Sequence, residues 1–305
     1  MTIQQMEYVV ALDTYRHFVT AAEKCFVTQP TLTMQLKKLE DEIGIAIFDR
    51  KKNPLEPTKA GETIILKARA ILREVSQMKE MINTEKEDVS GEFRIGVIPT
   101  IAPYLIPLFV RKFTEDYPKT HLIIQELRSE EIINGLNKDQ LDIGLLVTPL
   151  EESNLREVKL YQEPFAAYVS NDHPLAKKKT INVDELSSAA DLWLLDQGHC
   201  FRNQVLNLCK HPRKNKIQFE SGSMETLKNL IKHHKGYTLI PSLALSQTDP
   251  HVRHFKGKIP AREVSLVVHN GFAKEKLIEV LRSEILSVIP ESFVKNEHYI
   301  RVKWR

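Results

Sequence analysis

The residues best suited to chemistry lie in one stretch, residues 198–209, which holds two of the three cysteines of the 305-residue chain. Its apolar residues recur at spacings of four and three and predict a helix, with Phe201, Val205 and Leu208 on one face. Such a helix would hold Cys200 and Cys209 about 13.5 Å apart on opposite sides. A disulfide needs Cα atoms about 4.4–6.8 Å apart. The helix must therefore unwind before the cysteines join, which predicts a thiol-controlled switch.

Cys200 is the reactive partner in this interpretation. Positive charge and a helix N-terminus favour the thiolate, and Cys200 would begin the helix with His199 before it and Arg202 two residues on. Peroxide would oxidise this thiol to a sulfenic acid, which Cys209 would resolve to a disulfide. The alternative is that both cysteines are small apolar residues of the core.

A hydroxyl-lined pocket beside Cys200 is predicted from the ends of strands. Thr100 follows one predicted strand and Ser129 follows the next, and open α/β sheets bind ligands at such ends. These hydroxyls and an imidazole would hold a peroxide molecule and protonate its leaving oxygen. The predicted pocket comprises Thr100, Ser129, His199, Cys200 and Arg202. The alternative is that Thr100 and Ser129 are ordinary helix caps.

Neither a metal centre nor an enzyme is predicted. His199, Cys200, Cys209 and His211 are close in sequence, but their spacing resembles no zinc finger or knuckle. The sequence contains no nucleophile elbow, P-loop or metalloprotease motif. We therefore expect no metal, no cofactor and no enzymatic activity.

Composition indicates a soluble globular protein, with 42% hydrophobic and 27% charged residues. No run of about 18 apolar residues occurs, and the N-terminus lacks the pattern of a secretory signal. We therefore expect a cytoplasmic protein without membrane contact, whose cysteines are reactive or inert rather than structurally bridged. The net charge is +3, and the first 60 residues carry eight basic and eight acidic residues. Nucleic-acid binding must therefore be argued from local arrangement.

Residues 1–58 are predicted to form a winged helix-turn-helix head that binds double-stranded DNA. Its second helix would start at a cap, Thr28 or Gln29, and end at Gly44. The buried stripe of this helix is predicted at Leu32, Leu36, Leu39 and Ile43. Such a helix enters the major groove by its N-terminal residues. The predicted DNA contacts on it are Gln29, Pro30, Thr31, Thr33 and Met34.

A β-hairpin wing is predicted after this helix. A strand at residues 45–48 and a return at residues 55–58 flank three consecutive cations, Arg50, Lys51 and Lys52. These cations would meet phosphates or the minor groove. The alternative for the three cations is a solvated loop.

Residues 59–89 are predicted to form a long dimerisation helix. Apolar residues repeat at alternating spacings of four and three, as in a coiled-coil seam, at Ile64, Ala68, Ile71, Val75, Met78 and Ile82. About 28 residues of helix span roughly 42 Å, which is too long to pack on so small a head. The seam therefore predicts a partner chain, and the alternative is a helix buried within one subunit.

The rest of the chain alternates strand and helix patterns, which predicts an α/β architecture with a parallel sheet. We assign a first lobe to residues 90–163 plus 269–305 and a second lobe to residues 164–268. Strands are predicted at residues 93–98, 122–127, 141–147, 165–170, 192–195, 217–220, 237–240 and 263–269. Helices are predicted at residues 101–116, 130–137, 201–210, 225–232 and 273–289. A ligand would bind in the cleft at the carboxyl ends of the strands.

The whole chain resembles LysR-type transcriptional regulators. The residues that match this family's signature are Ala21-Ala22, Thr28-Gln29-Pro30-Thr31-Leu32, Leu36, Leu39-Glu40, Gly44, Phe48-Asp49-Arg50 and Thr58-Lys59-Ala60-Gly61. The resemblance implies a winged helix-turn-helix head, a dimerisation helix and a two-lobed effector domain similar to periplasmic binding proteins.

Other residues resemble the peroxide-sensing OxyR branch of that family: Pro99-Thr100, Pro103-Tyr104-Leu105, Asp196, Gly198-His199-Cys200, Arg202, Cys209, Glu225-Thr226-Leu227 and Leu239-Ile240-Pro241. The branch implies that Cys200 is the peroxidatic thiol, that Cys209 resolves it, and that Thr100 and His199 belong to the peroxide pocket. Ser129 and Asn203 depart from the branch, which commonly has Thr and in some members Asp at these positions. The tail, residues 295–305, matches nothing in the branch and is interpreted as a disordered basic end or a subunit contact.

The sequence thus predicts a redox-switched regulator that activates antioxidant genes under oxidative stress. Its predicted partners are a DNA operator, further copies of the chain in a homodimer or homotetramer, hydrogen peroxide as the signal, and RNA polymerase. The alternative is a regulator of the same architecture that senses a small metabolite in the interlobe cleft. A solute-binding transport protein would share the lobes but would have no DNA-binding head.

Overall fold

The structure is a computed structural model that describes residues 1–82, 89–209, 221–246, 248–295 and 298–305. The predicted strand at residues 217–220, His211 and the side chain of Ile82 lie outside the described residues. The chain divides into two compact units, Met1–Glu87 with Lys138–Gln140 and Gly271–Glu275, and Asp88–Asn137 with Leu141–Asn270 and Lys276–Arg305. Among the described helices, none combines the length and the apolar character needed to cross a membrane.

The first unit contains a winged helix-turn-helix head and a long helix. Its elements are α1 (Ile3–Tyr15), α2 (Phe18–Lys24), α3 (Gln29–Ile43), β1 (Phe48–Asp49), β2 (Glu56–Pro57) and α4 (Lys59–Ile82). The side chain of Thr28 caps α3 by accepting from the Thr31 amide, and α3 ends at Gly44, whose φ of 69° favours glycine. In the predicted stripe, Leu32, Leu36 and Leu39 are buried and Ile43 is half-buried. The opposite face of α3 is therefore available for contacts outside the head.

The wing is shorter than the sequence predicted. Strands β1 and β2 pair antiparallel, with Phe48 opposite Pro57. The strand was expected to begin at residue 45, but the Ile47 amide donates to the Glu40 carboxylate at 2.8 Å instead. Because this hydrogen bond ties the chain back to α3, regular pairing starts only at Phe48.

Helix α4 packs on α1 through a buried ion pair between Arg69 and Asp13, whose closest atoms are 2.8 Å apart. Ala68, which the sequence placed in the seam toward a partner chain, is buried within its own unit. Farther along the predicted seam, Ile71 and Met78 are 37% and 64% exposed. Only this exposed part of the helix is free to meet a partner, so the dimer contact stays a prediction there.

The second unit is organised around a mixed sheet. Its strands are β3 (Gly91–Val97), β4 (Thr120–Glu126), β5 (Ile143–Thr148), β6 (Leu155–Val169), β7 (Thr180–Ile181), β8 (Tyr237–Pro241), β9 (Val252–Phe255), β10 (Ile259–His269) and β11 (Tyr299–Arg301). They follow the order β4-β3-β5-β10-β6-β9-β7, while β8 pairs with β6 and β11 pairs with β10. Strands β3, β4 and β5 are parallel, as predicted, whereas β10 is antiparallel to both β5 and β6.

Strand β6 belongs to both halves of this sheet. Its first part pairs with β10 up to Pro164, and its last five residues pair with β8. The sequence predicted a strand only from residue 165, because the charged residues between Leu155 and Pro164 hide the alternation. The chain therefore passes from one half of the sheet to the other within one continuous strand.

Helices cover the sheet at α5 (Ala102–Asp116), α6 (Ser129–Asn137), α7 (Val183–Ser188), α8 (Cys200–Leu208), α9 (Met224–His233), α10 (Glu275–Val288) and α11 (Glu291–Val294). Phe201 and Val205 of α8 belong to a buried cluster with Tyr237 and Leu239 of β8. The predicted strand at residues 192–195 is wrong, because within the described residues this segment forms an isolated bridge, from Leu192 to Tyr237, and no ladder. A tail that was expected to be disordered or to contact another subunit instead adds β11 to the sheet of its own chain.

Candidate functional site

Helix α8 places the two cysteines at its ends, as their spacing predicted. Cys200 is its first residue, and Cys209 follows its last residue and donates its amide to the Val205 carbonyl at 2.9 Å. Both thiols are free and buried, with exposures of 4% and 1%. The structure therefore represents the reduced arrangement, in which helix rise separates the two residues by about 13.5 Å.

The local chain is shaped to begin the helix at Cys200. His199 is extended, with φ −83° and ψ 123°, and Gly198 before it has a φ of 97°. A Cβ at residue 198 would lie 3.0 Å from Nη1 of Arg128, so both the backbone angle and the neighbouring guanidinium favour glycine. These constraints fix the direction in which the Cys200 side chain leaves the helix N-terminus.

Of the predicted hydroxyls, Ser129 lies beside Cys200, and Thr100 is bound to a buried arginine whose charge acts on that thiol. The Ser129 hydroxyl at the start of α6 is hydrogen bonded to the Cys200 thiol. Arg262 on β10 donates to the hydroxyl and the carbonyl of Thr100, at 2.7 and 2.9 Å. Its charge is balanced by Glu163 on β6, 2.7 Å away, and both side chains are 1% exposed. The guanidinium therefore holds Thr100 in place.

The charge that acts on Cys200 comes from Arg262 rather than from Arg202. Burial raises the pKa of Cys200, and the charge of Arg262 and the Ser129 hydrogen bond partly oppose this. The expectation of a favoured thiolate is therefore wrong for the reduced structure, because burial is the largest effect. Arg202 donates to the Leu195 carbonyl at 2.6 Å and fastens the segment before the helix.

Arg262 and Glu163 were not predicted from the sequence. Each is a charged residue at the border of an apolar strand pattern, in Ala261-Arg262-Glu263-Val264 and in Gln162-Glu163-Pro164-Phe165. That placement is a weak signal, since charged residues usually end a strand at the surface. Only the pairing of β6 with β10, across 99 positions of sequence, brings them together.

His199 is oriented by a chain of charged groups. Its Nε2 lies 2.9 Å from Oδ1 of Asp196, and Arg128 donates to Oδ2 of the same carboxylate at 2.9 Å. Burial lowers the pKa of His199, and the Asp196 charge partly offsets this effect. At Gly222, a Cβ would lie 3.1 Å from this Nε2, so glycine there allows the close approach of the loop.

A cavity of about 400 Å³ opens beside His199. One wall follows β3 and β4 and includes Pro99, Tyr104 and Arg128, and the other precedes and begins α9. Tyr104 donates to Glu225 across the cavity at 2.9 Å. Of the five predicted pocket residues, the cavity lining includes His199 but not Thr100, Ser129, Cys200 or Arg202. A ligand in the cavity would therefore meet the imidazole first.

Cys209 lies in a different environment at the other end of α8. The Tyr237 hydroxyl is 3.8 Å from its sulfur and donates to the Leu186 carbonyl at 3.0 Å. Burial raises the pKa of Cys209 to about 11. The second thiol is therefore protonated and shielded while α8 is intact.

The predicted DNA-contacting residues lie on the head. Gln29, Pro30 and Met34 are exposed, whereas Thr31 and Thr33 are half-buried. In the wing, Lys51 and Lys52 are exposed, and Arg50 is exposed but pairs with Glu40 at 2.7 Å. Arg50 therefore also braces the wing against α3.

Two family models match this chain. Residues 3–62 match the family described as bacterial regulatory helix-turn-helix protein, lysR family, and residues 86–289 match the LysR substrate binding domain. The DNA-binding transcriptional dual regulator OxyR of Escherichia coli K12 is 34% identical over 298 residues, 93% of this chain and 96% of the relative. A hydrogen peroxide-inducible genes activator of Dickeya chrysanthemi is 37% identical over 248 residues, 81% of each chain.

Solved structures agree. A full-length OxyR variant from Pseudomonas aeruginosa has a TM-score of 0.83 and 32% identity, covering 93% of this chain and 94% of its own. A hydrogen peroxide-bound OxyR variant from Corynebacterium glutamicum has a TM-score of 0.61 and 25% identity, covering 96% and 95%. The predicted fold class, a winged helix-turn-helix head with a two-lobed α/β effector domain, is confirmed by these matches.

Proposed function

Because the chain belongs to the LysR family of bacterial regulators, we propose that it is a transcriptional regulator that senses hydrogen peroxide. The sensing reaction is the reversible formation of a disulfide between Cys200 and Cys209. The oxidised protein activates antioxidant genes. The observation that carries this proposal is the reduced helix α8, with one cysteine at each end and a Ser129 and Arg262 environment around the first. Relatives that are named hydrogen peroxide-inducible genes activators support it.

The chemistry begins at Cys200. The thiol loses its proton, the thiolate attacks one peroxide oxygen, and the O–O bond breaks. The leaving hydroxide takes up the proton that the thiol gave and becomes water. In this proposal the Thr100 hydroxyl, which accepts from Arg262, donates a hydrogen bond to that oxygen. The product is a Cys200 sulfenic acid, and the sulfur has given up two electrons.

The second step joins the two sulfurs. Helix α8 unwinds, the Cys209 thiolate attacks the Cys200 sulfur, and the hydroxide that leaves becomes water with the proton from Cys209. One peroxide is consumed and two waters form for each disulfide. Each chain therefore reduces one peroxide molecule and cannot react again until its disulfide has been reduced. The remade loop changes contacts between effector domains and respaces the heads on DNA.

The assembly and partners are part of the proposal. We assign residues 1–58 to DNA binding, 59–89 to dimerisation, and the two lobes to residues 90–163 plus 269–305 and 164–268. Gln29, Thr33 and Met34 on α3 would contact base edges, and Lys51 would contact a phosphate. Two homodimers would form a tetramer on the operator, in the cytoplasm. RNA polymerase would bind the complex once the spacing of the DNA-binding heads has changed.

The test compares Cys200→Ser with the unaltered chain under micromolar peroxide. Mass spectrometry should find two free thiols converted to one disulfide in the unaltered chain but not in Cys200→Ser, and the operator footprint should change with it. Cys200→Ser should keep its footprint and lose the response, and Cys25→Ser serves as a matched control that keeps both. A normal response in Cys200→Ser would remove the redox proposal and leave the DNA-binding head.

A second candidate is a small metabolite in the cavity beside His199. The cavity of about 400 Å³ is far larger than peroxide needs and carries Arg128, Glu131 and Glu225 on its walls. A metabolite that raises the melting temperature and changes the footprint with both thiols still free would favour this candidate. Within the described ranges, no group of three or more metal-binding side chains is close enough to hold an ion.

A further inference from the structure

The C-terminal segment, residues 299–305, is an ordered part of the effector unit. Strand β11 runs parallel to the start of β10, and the Val302 amide continues the pairing by donating to the Ala261 carbonyl at 2.8 Å. Val302 and Trp304 are only 6% and 5% exposed. This segment is called the C-terminal strap below.

Arginines fix both ends of the C-terminal strap. Arg301 binds both carboxylate oxygens of Glu263, at 3.2 Å each, and Glu263 is buried on β10. At the other end, Arg305 binds Glu130 at 2.6 Å and Glu152 at 2.9 Å. Glu130 follows Ser129 on α6, so the strap is anchored next to the pocket and does not depend on α8 for its position.

The middle of the C-terminal strap holds α8. The Gln204 side-chain amide donates to the Val302 carbonyl at 2.8 Å, and the Asn207 amide donates to the Lys303 carbonyl at 3.0 Å. Residues three apart share a helix face, so both donors meet the strap only while this part of α8 is helical. Val302 also belongs to the buried cluster that contains Phe201 and Val205.

We propose that the C-terminal strap stabilises the reduced form of α8 and thereby sets how fast Cys209 reaches an oxidised Cys200. Both donors, Gln204 and Asn207, lie between the two cysteines, so unwinding this segment breaks both hydrogen bonds. The arginine anchors bind β10, α6 and the chain near residue 152, so the strap keeps its place while α8 leaves it. This inference rests on the disulfide switch proposed above.

The first experiment removes the two hydrogen bonds in the full-length chain. Gln204→Leu and Asn207→Ala each delete one donor, and Lys303→Ala is the matched control. Lys303 contributes its backbone carbonyl, while its side chain is 59% exposed. The control therefore changes the strap without removing either bond.

Two rate constants distinguish an effect of the C-terminal strap on helix unwinding from an effect on the reaction of Cys200 with peroxide. Sulfenic acid formation is measured with a trapping reagent in a Cys209→Ser background, and disulfide formation is measured by quenched alkylation in the intact pair. We expect each deletion to speed disulfide formation about five-fold, equivalent to about 1 kcal/mol for one hydrogen bond. Sulfenic acid formation should stay within two-fold, and Lys303→Ala should change neither rate.

The outcomes distinguish the two proposals. If disulfide forms in every variant at the rate of the unaltered chain, the C-terminal strap has no such role and the redox switch stands. If no disulfide forms in the unaltered chain, the redox switch fails and the strap proposal fails with it. Faster sulfenic acid formation in the deletion variants would also overturn the strap, because it would mean that the pocket itself had changed.

A second measurement does not depend on the stability of those variants. The chain has two tryptophans, Trp193 and Trp304, so Trp193→Phe leaves the one in the C-terminal strap as the reporter. Its emission should change with disulfide formation and should stay constant when only the sulfenic acid forms in a Cys209→Ser background. Unchanged emission after complete disulfide formation would contradict the proposal.

Discussion

Arg262 acts on the reactive thiol of Cys200 and also binds the residues that support the site. It is fully buried, binds Glu163 and Thr100, and lies 5.7 Å above the ring of Phe201, the residue after Cys200. A buried cation of this kind stabilises a developing thiolate and at the same time needs a buried partner of its own. The reactivity and the stability of the site are therefore linked through one side chain.

Replacing Arg262 should separate these two effects. Arg262→Met removes the charge that lowers the pKa of Cys200, so sulfenic acid formation should slow about ten-fold or more. It also leaves Glu163 buried without its ion pair, at a cost of about 3–5 kcal/mol in the free energy of unfolding. The measurements are peroxide kinetics and urea unfolding.

The control for Arg262 is the double variant Arg262→Met with Glu163→Gln. It removes both charges, so most of the lost stability should return while the reaction stays slow. A double variant that recovered both stability and rate would show that Arg262 acts only by holding the fold.

Cys209 gives a prediction about alkaline pH. Its pKa is raised from 9.0 to about 11 because the folded chain buries the thiol. The folded state thus favours the protonated form, and this contribution is complete below pH 9 and is lost as the pH rises from 9 to about 11. Two pKa units correspond to about 3 kcal/mol. Under reducing conditions, unfolding free energies should fall more steeply over this range for the unaltered chain than for Cys209→Ala, and equal slopes would contradict the assignment.

Individual residues of the site were predictable to different degrees. Cys200, Cys209, Thr100 and Ser129 were identified because a thiol, or a hydroxyl at a strand end, is informative where it stands in the sequence. Arg262 and the brace from Arg50 to Glu40 were missed, since a charged residue in sequence carries no sign of whether folding will bury or pair it. Which residue a charged side chain pairs with depends on how distant strands and helices come together in the fold.

At the scale of elements, α8 is short and is held by its surroundings. Phe201 and Val205 bury one face, while Asn203 is exposed and makes none of the contacts described above. A nine-residue helix has little stability of its own. The balance between helix and loop should therefore respond to small changes in helix propensity.

Asn203 provides a matched pair of substitutions for this test. Asn203→Ala and Asn203→Gly differ by about 1 kcal/mol in helix propensity, and neither adds a side chain that could reach the thiols. Disulfide formation should be about five-fold slower in the Ala variant than in the Gly variant, with equal rates of sulfenic acid formation. Quenched alkylation over time measures both, and equal disulfide rates would indicate that unwinding of α8 does not limit the reaction.

Elements with a strong local pattern were predicted well, and elements defined by distant pairing were not. Helices α3, α5 and α10 were placed to within a few residues because their apolar periodicity is local. Strand β11 and the first half of β6 were missed because their partners on β10 lie far away in sequence. The Leu192 region has strand-like residues, but among the described residues it forms an isolated bridge to Tyr237 and no continuous ladder.

At the scale of the whole molecule, the exposed part of the α4 seam predicts how chains associate. Met78→Glu would place a charge where the two copies of this residue should be buried in the dimer. Losing the burial of two methionine side chains should weaken dimerisation by about 3 kcal/mol. The dimer Kd should therefore rise about a hundred-fold. Leu66→Glu is the control, because Leu66 is 61% exposed and lies off the seam. Sedimentation should show monomers for Met78→Glu only, and an unchanged mass would place the dimer contact elsewhere.

The continuous strand β6 limits how the effector unit responds. It pairs with β10 along its first part and with β8 along its last, so a swing of one lobe against the other would have to strain a ladder that runs through both. Opening and closing around a ligand is therefore disfavoured as the main motion. The signal passed to DNA would then be the local exchange of helix α8 for a cross-linked loop, while the sheet of the effector unit keeps its shape.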